Sequence, residues 1–201
     1  MVDSDSVSHR GTAVILAAGA SVRYGSDKRH VPFANTTLLQ YTVQLYATVF
    51  HKVFVVLRTQ EPSLTESFPL NSQTVIATQA QLGLSQSLRA GIQHAKSDPW
   101  VVVGLMDMPY VKSATLNGLA RHMESTTASV VRLRCQKRYG NPVGFKQECF
   151  AQLSELRGDH GARSLLDSDS FSVETLEVDD RGILIDIDTP AHLKKYGSLL
   201  H

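Results

Sequence analysis

Four continuous apolar runs constrain the fold of this chain more than any other feature of its sequence. They are short, rich in valine and free of polar alternation, and they cover residues 14–17, 53–57, 74–77 and 100–106. Such runs are typical of parallel strands that helices cover on both faces. Apolar residues at three- and four-residue spacing predict helices between them, at Leu39, Val43, Tyr46 and Phe50, and at Leu84, Leu88 and Ile92. The alternation predicts an α/β fold, with a doubly wound, mostly parallel sheet that binds ligands beyond the carboxyl ends of its strands.

Length and charge narrow the class of protein. The 201 residues suit a single domain, which we expect at 12–201, after a polar, flexible N-terminal tail at 1–11. The formal charge is +1, from 20 basic and 19 acidic residues, so the chain has no field that would gather nucleic acid or an anionic membrane. Any affinity for anions must therefore be local.

The sequence predicts a cytoplasmic location. No run approaches the roughly eighteen apolar residues of a membrane-spanning helix, and residues 1–10 lack the apolar segment of a secretory leader. Cys135 and Cys149 are too few for a disulfide framework and too far apart for a Cys-x-x-Cys motif. We therefore expect both to be reduced thiols with a packing role.

The loop after the first apolar run is suited to a phosphate chain. It combines small residues, beginning at Gly19, with two cations, Arg23 and Lys28. Small residues let backbone N–H groups approach phosphates, and the cations neutralise them. A Walker A loop is excluded because five residues rather than four separate Gly19 from Gly25, and no Gly-x-Gly-x-x-Gly fingerprint occurs. An ordinary glycine-rich turn is the alternative to a triphosphate site.

Residues 16–28 read Leu-Ala-Ala-Gly-x-Ser-x-Arg-x-Gly-x-x-Lys. This pattern resembles the signature of the nucleotidyltransferases that act on molybdenum cofactor and on sugar phosphates, and it is most similar to the molybdenum cofactor cytidylyltransferase branch. The resemblance covers nearly all of residues 12–196 and implies a Rossmann-like nucleotidyltransferase fold, similar to glycosyltransferase A. It also implies that six residues of the loop bind the nucleotide: Leu16, Ala17, Ala18, Gly19, Arg23 and Lys28.

A second stretch, residues 81–91, opens a predicted helix with glycine and serines. Gly83, Ser85 and Ser87 would present N–H groups and hydroxyls at the helix N-terminus, which suits a ribose or a base edge. The stretch also resembles the base-and-ribose loop of the same family, which implies that these three residues bind the nucleotide. The alternative is that Ser85 is a plain N-cap.

Two aspartates are candidate Mg²⁺ ligands. Asp107 directly follows the run 100–106, so we expect it at the carboxyl edge of the sheet, where one or two carboxylates and phosphate oxygens can hold magnesium. Alternation predicts Asp186 and Asp188 on one face of a final strand, before a helix that starts at Pro190. By resemblance to the family's Asp-x-Asp-Thr-Pro ending, Asp188 is the second metal ligand. A helix cap is the alternative for either residue.

The pattern changes after residue 125 and predicts a small antiparallel excursion, with strands at 129–134 and 141–145 and a turn at 137–140. Gly-Asn-Pro-Val in this region and Gly-Asp-x-Gly-Ala-Arg at 158–163 resemble two segments of the cytidylyltransferase branch, with Asn141 in place of a more frequent histidine. The resemblance implies that five residues contact the acceptor: Asn141, Pro142, Gly158, Asp159 and Arg163. From residue types alone, Asp159 as a helix cap beside a solvated Arg163 is an equal alternative.

The resemblance implies a nucleotidyl transfer, in which the terminal phosphate of a molybdopterin-type cofactor attacks the α-phosphorus of CTP and pyrophosphate leaves. The predicted catalytic residues are Arg23, Lys28 and Asp107, and the predicted cofactor is Mg²⁺. CTP and a pterin phosphate are the predicted partners, with transient contact to a molybdoenzyme. No side-chain nucleophile is needed, because the attacking phosphate is already an anion. Two alternatives stay open: transfer to a sugar or alditol phosphate, and a nucleotide- or pterin-binding carrier without turnover.

Overall fold

The computed structural model describes residues 9–158, 162, 166 and 170–197. The strands in this part of the chain are β1 (His9–Leu16), β2 (Pro32–Phe33), β3 (Thr36–Thr37), β4 (Phe50–Leu57), β5 (Ser72–Ile76), β6 (Trp100–Leu105), β7 (Val130–Cys135), β8 (Arg138–Lys146) and β9 (Val173–Glu177). The helices are α1 (Leu38–Ala47), α2 (Pro62–Thr65), α3 (Leu84–His94), α4 (Ser113–Ser125), α5 (Phe150–Glu155) and α6 (Pro190–Tyr196). Short 3₁₀ turns lie between several of them.

Seven of the strands form one sheet, in the order β5-β4-β1-β6-β8-β7-β9, and β2 pairs with β3 separately. The strands β5, β4, β1 and β6 are parallel, β8 runs antiparallel to both β6 and β7, and β9 is parallel to β7. The predicted doubly wound, mostly parallel sheet is confirmed. The predicted antiparallel pair also forms, as β7 and β8, within the main sheet.

Both faces of the sheet are buried under helices. Along β1, Ala13 and Ile15 share a core cluster with residues of α1 and α4, whereas Val14 and Leu16 share another with residues of α3 and α5. Consecutive residues of the strand therefore enter opposite helical layers. This burial on two sides explains why the apolar runs show no polar alternation.

Local signals set the beginnings of two helices. At α1, the Thr37 hydroxyl accepts a hydrogen bond from the Gln40 backbone N–H at 3.3 Å, and the Gln40 side chain accepts one from the Thr37 N–H at 3.4 Å, which is a capping box. At α6, Thr189 is the N-cap and Pro190 is in the first turn, where its fixed φ suits a helix. The predicted start of the last helix is thus found.

The first strand is longer than predicted. Residues 9–11, predicted as the end of a flexible tail, belong to β1, and residues 1–8 lie outside the described part of the chain. Gly11 lies so close to Trp100 that a Cβ would be 2.1 Å from its ring. Phe50, predicted within the first helix, instead begins β4. Tertiary packing therefore decides both boundaries.

Two other local predictions are wrong. The turn between β7 and β8 lies at Gln136 and Lys137, which have φ values of 50° and 65°, so that Arg138 already belongs to β8. Non-glycine residues rarely adopt such angles, which explains why the sequence carries no clear turn signal there. The predicted final strand does not form, since a 3₁₀ turn covers Arg181–Leu184 and residues 185–188 have no regular structure.

Cys135 and Cys149 are free and buried, and burial raises the pKa of the Cys149 thiol to about 12. Both thus fit the predicted packing role. Among the helices of the described residues, none combines the length and the apolar character required to span a bilayer.

Candidate active site

A cleft of about 450 Å³ opens at the carboxyl ends of β1 and β6. The two strands are neighbours, with Leu16 opposite Leu105, so the loop after β1 and Asp107 after β6 start side by side. The cleft lies where a doubly wound fold is expected to bind ligands. Its walls combine these two strand ends, the loop after β1, the first residue of α3 and the segment before α6: Leu16, Ala17, Ala18, Gly19, Ala20, Ser21, Arg23, Tyr24, Lys28, Leu84, Leu105, Met106, Asp107, Asp186 and Asp188.

Lys28 is the centre of a charged cluster in this cleft. Its Nζ lies 2.5 Å from Asp107 Oδ2 and 3.1 Å from Asp188 Oδ1. Arg23 Nη1 lies 2.7 Å from Asp188 Oδ2. The Lys28 side chain is 10% exposed and that of Arg23 is 80% exposed, so the first is held by the protein while the second is open to a ligand. Residues from three separate parts of the chain therefore converge on one point.

The loop after β1 holds Lys28 in place through local hydrogen bonds. The Lys28 backbone N–H donates to Ser21 Oγ at 3.1 Å, which joins the two ends of the loop. Asp27 caps the following 3₁₀ turn by accepting from the Arg29 N–H at 3.0 Å. The Asp27 carboxylate also pairs with the buried Arg29 guanidinium at 2.5 Å and with Arg58 at 2.8 Å. The turn that carries Lys28 is thus held both by the preceding loop and by the ion pairs of Asp27.

The segment before α6 brings Asp188 to the same point. The Ile187 backbone N–H donates to the Asp107 carbonyl at 2.8 Å, and the Ile187 side chain is fully buried in a hydrophobic cluster that includes Tyr110. Further back, Gly182 is so close to Tyr110 that a Cβ would be 1.9 Å from its carbonyl oxygen. Backbone contact, rather than a strand, therefore places Asp188 beside Asp107.

Opposite charges in the cluster stabilise each other. Burial would lower the pKa of Lys28, but the charges and hydrogen bonds of Asp107 and Asp188 outweigh it and raise this pKa. Burial would likewise raise the pKa of Asp188, but the hydrogen bond and charge of Lys28 hold it below its ordinary value. For Asp186, burial raises the pKa, and the negative charges of Asp188 and Asp107 add to the effect. At neutral pH the cluster therefore contains a charged ammonium between carboxylates.

Most predicted nucleotide-binding residues line the cleft, namely Leu16, Ala17, Ala18, Gly19, Arg23 and Lys28. Gly83, Ser85 and Ser87 do not line it, although Leu84 does. Gly83 is the N-cap of α3, so Ser85 is not the cap; its buried hydroxyl has no hydrogen-bond partner among the described residues. A nucleotide-binding role for these three residues stays a prediction.

A second cavity, of about 510 Å³, adjoins the first and shares with it Leu16, Leu84 and Leu105. Of the residues predicted to contact the acceptor, Asn141 lines this cavity. Pro142 is buried, and Pro142 and Gly158 line neither cavity. Asp159 and Arg163 lie outside the described residues. Of the predicted acceptor residues that can be located, one therefore faces an open space.

Sequence reasoning missed several residues of the two cavities. Leu84 and Leu105 have the spacing of core residues, and no local signal distinguishes their partial exposure to the clefts. Arg132 and Tyr139 line the second cavity from β7 and β8. Strand alternation alone does not find this pair, because the register that sets Tyr139 opposite Arg134, two residues from Arg132, depends on a turn that the sequence does not mark.

The acidic side chains of the cleft determine whether it could hold a metal ion. Within the described residues, no group of three or more His, Cys, Asp or Glu side chains is arranged to hold a metal ion. The cleft does contain a pair of carboxylates, Asp107 and Asp188, that face the same ammonium. One or two carboxylates are what Mg²⁺ takes when phosphate oxygens and water supply its other ligands. The pair thus suits a metal that arrives with a nucleotide.

The chain is similar to several known proteins. The sequence matches the family model of the MobA-like NTP transferase domain over residues 13–174. The purine catabolism protein PucB of Bacillus subtilis (strain 168) is 31% identical over 190 residues, which cover 88% of this chain and 91% of PucB. A probable molybdenum cofactor guanylyltransferase of Nostoc sp. (strain PCC 7120 / SAG 25.82 / UTEX 2576) is 26% identical over 185 residues, covering 90% and 88%. The crystal structure of Rv0371c from Mycobacterium tuberculosis H37Rv superposes with a TM-score of 0.78 at 26% identity, covering 92% and 96%.

Proposed function

The chain belongs to the MobA-like NTP transferase domain family, and we propose that it transfers CMP from CTP to the terminal phosphate of a molybdopterin-type cofactor. An oxygen of the acceptor phosphate attacks the α-phosphorus in line, the bond from that phosphorus to the bridging oxygen breaks, and pyrophosphate leaves with the electron pair. One observation carries the proposal: Arg23 and Lys28 meet Asp107 and Asp188 beside the loop that begins at Gly19.

In this reaction Arg23 and Lys28 neutralise the phosphate chain. Although burial disfavours its charge, the neighbouring carboxylates raise the pKa of Lys28, so its ammonium stays charged at neutral pH. Gly19 has no atom within 4 Å of the position of a Cβ, which leaves room for a phosphate against the loop backbone. The acceptor phosphate is itself the nucleophile, so rate enhancement comes from positioning and charge neutralisation.

Mg²⁺ is the cofactor in this proposal, with Asp107 and Asp188 as its protein ligands. When bound, the ion would neutralise negative charge on the reacting phosphates. The Lys28 ammonium contacts both carboxylates and offsets their mutual repulsion, so the ligand pair is held together by the protein itself. Arg23, which contacts only Asp188 of the two, is exposed enough to turn toward the β- and γ-phosphates.

The choice of CTP depends on the loop after β1. It reads Leu-Ala-Ala-Gly, as in the cytidylyltransferase branch, whereas the guanylyltransferase branch usually has Leu-Ala-Gly-Gly. Ala18 is buried at the cleft wall, so a methyl group stands where the guanylyl pattern leaves backbone exposed. Because four relatives are named as molybdenum cofactor guanylyltransferases, three of them as probable ones, GTP is the competing donor to be tested.

Pyrophosphate release tests the proposal directly. With molybdopterin and Mg²⁺, we expect CTP to be used at least about tenfold faster than GTP, and EDTA to stop the reaction until Mg²⁺ is added back. Lys28→Met should lower the rate by about 10²–10³, as the loss of one electrostatic contact to a reacting group does. Lys96→Met, at an exposed position after α3, is the matched control and should leave the rate unchanged.

Other outcomes would replace the proposal with a specific alternative. Faster reaction with GTP would make the protein a guanylyltransferase, and pyrophosphate release with ribitol 5-phosphate but not molybdopterin would make the acceptor an alditol phosphate. If CTP raised the melting temperature but no acceptor gave pyrophosphate release, the protein would be a nucleotide-binding carrier.

A further inference from the structure

The second cavity differs chemically from the triphosphate cleft that it adjoins. Its inner wall is apolar and comes from α3, β6 and β8, through Leu88, Val103, Val143 and Phe145. Ala162 and Leu166 contribute further apolar surface. Among the described residues, its polar lining comes from the hairpin of β7 and β8 and consists of Arg132, Arg138, Tyr139 and Asn141. A ligand of this cavity therefore meets an apolar wall and two cations.

The two arginines of the second cavity are not balanced by acidic groups in the described residues. No ion pair within that part of the chain includes Arg132 or Arg138, whereas Arg134, on the same strand, pairs with Glu177. The whole chain has a formal charge of only +1, so this excess is local. Cations in the wall of an open cavity that no described acidic group neutralises raise the local concentration of anionic ligands.

Tyr139 holds the Arg132 side chain in a defined position. The guanidinium carbon of Arg132 lies 3.8 Å from the centre of the Tyr139 ring. The guanidinium carbon of Arg134 lies 5.7 Å from the centre of the same ring. Stacking on an aromatic ring uses the face of a guanidinium and leaves its N–H edge for a ligand. Arg132 is thus preorganised as a donor.

The strand pairing is interrupted beside the same cavity. Leu133 of β7 pairs with Gly140 of β8, and Arg132 pairs with Val143, so Asn141 and the following proline have no partner in register. Bulges of this kind re-aim side chains and are common next to active sites. Here Asn141 reaches the cavity that the arginines line.

We infer that Arg132 and Arg138 bind a second anionic group of the acceptor, distinct from its attacking phosphate. The inference rests on the proposed function, in which the attacking phosphate must enter the first cleft to reach the α-phosphorus of the nucleotide. The rest of the acceptor then extends past Leu84, in the shared wall, into the second cavity. A suitable acceptor has an apolar or planar middle and a negatively charged far end. A pterin phosphate that carries a dithiolate has both, whereas an alditol phosphate offers only neutral hydroxyls.

The test compares three arginine variants of the full-length protein under anaerobic conditions. Arg132→Met and Arg138→Met should each raise the KM for molybdopterin about tenfold, as the loss of one charge-assisted contact does, and leave the KM for CTP within about twofold. Arg121→Met, at an exposed position on α4 outside both cavities, is the matched control and should change neither constant. Molybdopterin alone, without CTP, should stabilise the wild type and Arg121→Met against heat more than the other two variants.

The two readouts separate this inference from the proposed function. An unchanged KM for molybdopterin in both Arg132→Met and Arg138→Met, with pyrophosphate release intact, would overturn the inference and leave the proposed function standing. If the wild type released no pyrophosphate with any donor, the proposed function would fail, and thermal stabilisation by molybdopterin would then decide the inference alone. Equal stabilisation of all four proteins would overturn it, and selective loss in the two cavity variants would support it.

Discussion

Asp180 is a buried carboxylate that ties the segment carrying Asp188 to the rest of the molecule. It is 2% exposed. Its Oδ2 accepts hydrogen bonds from the Lys112 backbone N–H at 2.9 Å and from the Thr115 hydroxyl at 2.6 Å, and its Oδ1 accepts one from the Gly182 N–H at 2.9 Å. These bonds join the start of α4 to residues 181–188. Asp180→Ala would remove all three at once.

The size of the effect follows from the donors left behind. Each buried donor without a partner costs about 1–3 kcal/mol, and because such costs are not additive and water can partly fill the gap, we expect a total of about 3–5 kcal/mol. For a domain of about 200 residues, 1 kcal/mol corresponds to roughly 2–4 °C in melting temperature. Asp180→Ala should therefore lower the melting temperature by about 6–20 °C.

Urea and thermal denaturation followed by circular dichroism measure this change. Asp179→Ala is the control, since it makes the same substitution at the adjacent, exposed position and should change the free energy of unfolding by no more than about 0.5 kcal/mol. A loss below about 1 kcal/mol for Asp180→Ala would show that the three bonds add little over their hydration in the unfolded chain. Asp180 would then not be the anchor of residues 181–188.

Two further predictions concern packing and pH. Gly91→Ala would put a Cβ 2.3 Å from Val14 Cγ1, so α3 must shift from β1 at a cost of about 1–3 kcal/mol, whereas Gly118→Ala, with open space around it in α4, should be neutral or slightly stabilising in the same urea titration. Burial would raise the pKa of Asp27, but hydrogen bonds and charge from Arg29 and the charge of Arg58 lower it from 3.8 to about 2. Because the pKa of Asp27 is lower in the folded than in the unfolded protein, its ionised carboxylate adds stability, which is fully present above about pH 4 and is lost as the pH falls through about 2. The free energies of unfolding of the wild type and of Asp27→Asn should therefore converge over that interval. A constant difference between them would contradict this assignment.

Much of the candidate site could be predicted because its parts are local. Gly19, Arg23 and Lys28 stand in one loop directly after a strand, and Asp107 directly follows another strand. Adjacent parallel strands end at the same edge of a sheet, so the convergence of the two loops follows once β1 and β6 are neighbours. Asp188 was also found, although the strand predicted to carry it does not exist. A motif can thus identify a residue when the local structure inferred for it is wrong.

The sequence by itself determined the features that depend on neighbours in the chain. They are the apolar runs of the parallel strands, the periodicity of α1 and α3, and the loop of small and cationic residues. What only the tertiary structure decided depends on residues far apart in sequence. The 2.5 Å contact between Lys28 and Asp107 and the cavity lined by Arg132 and Arg138 belong to this second kind. The physical reason is that these side chains come close together and lose water only when the sheet brings their segments together. The periodicity of a helix or strand, in contrast, depends on consecutive residues alone.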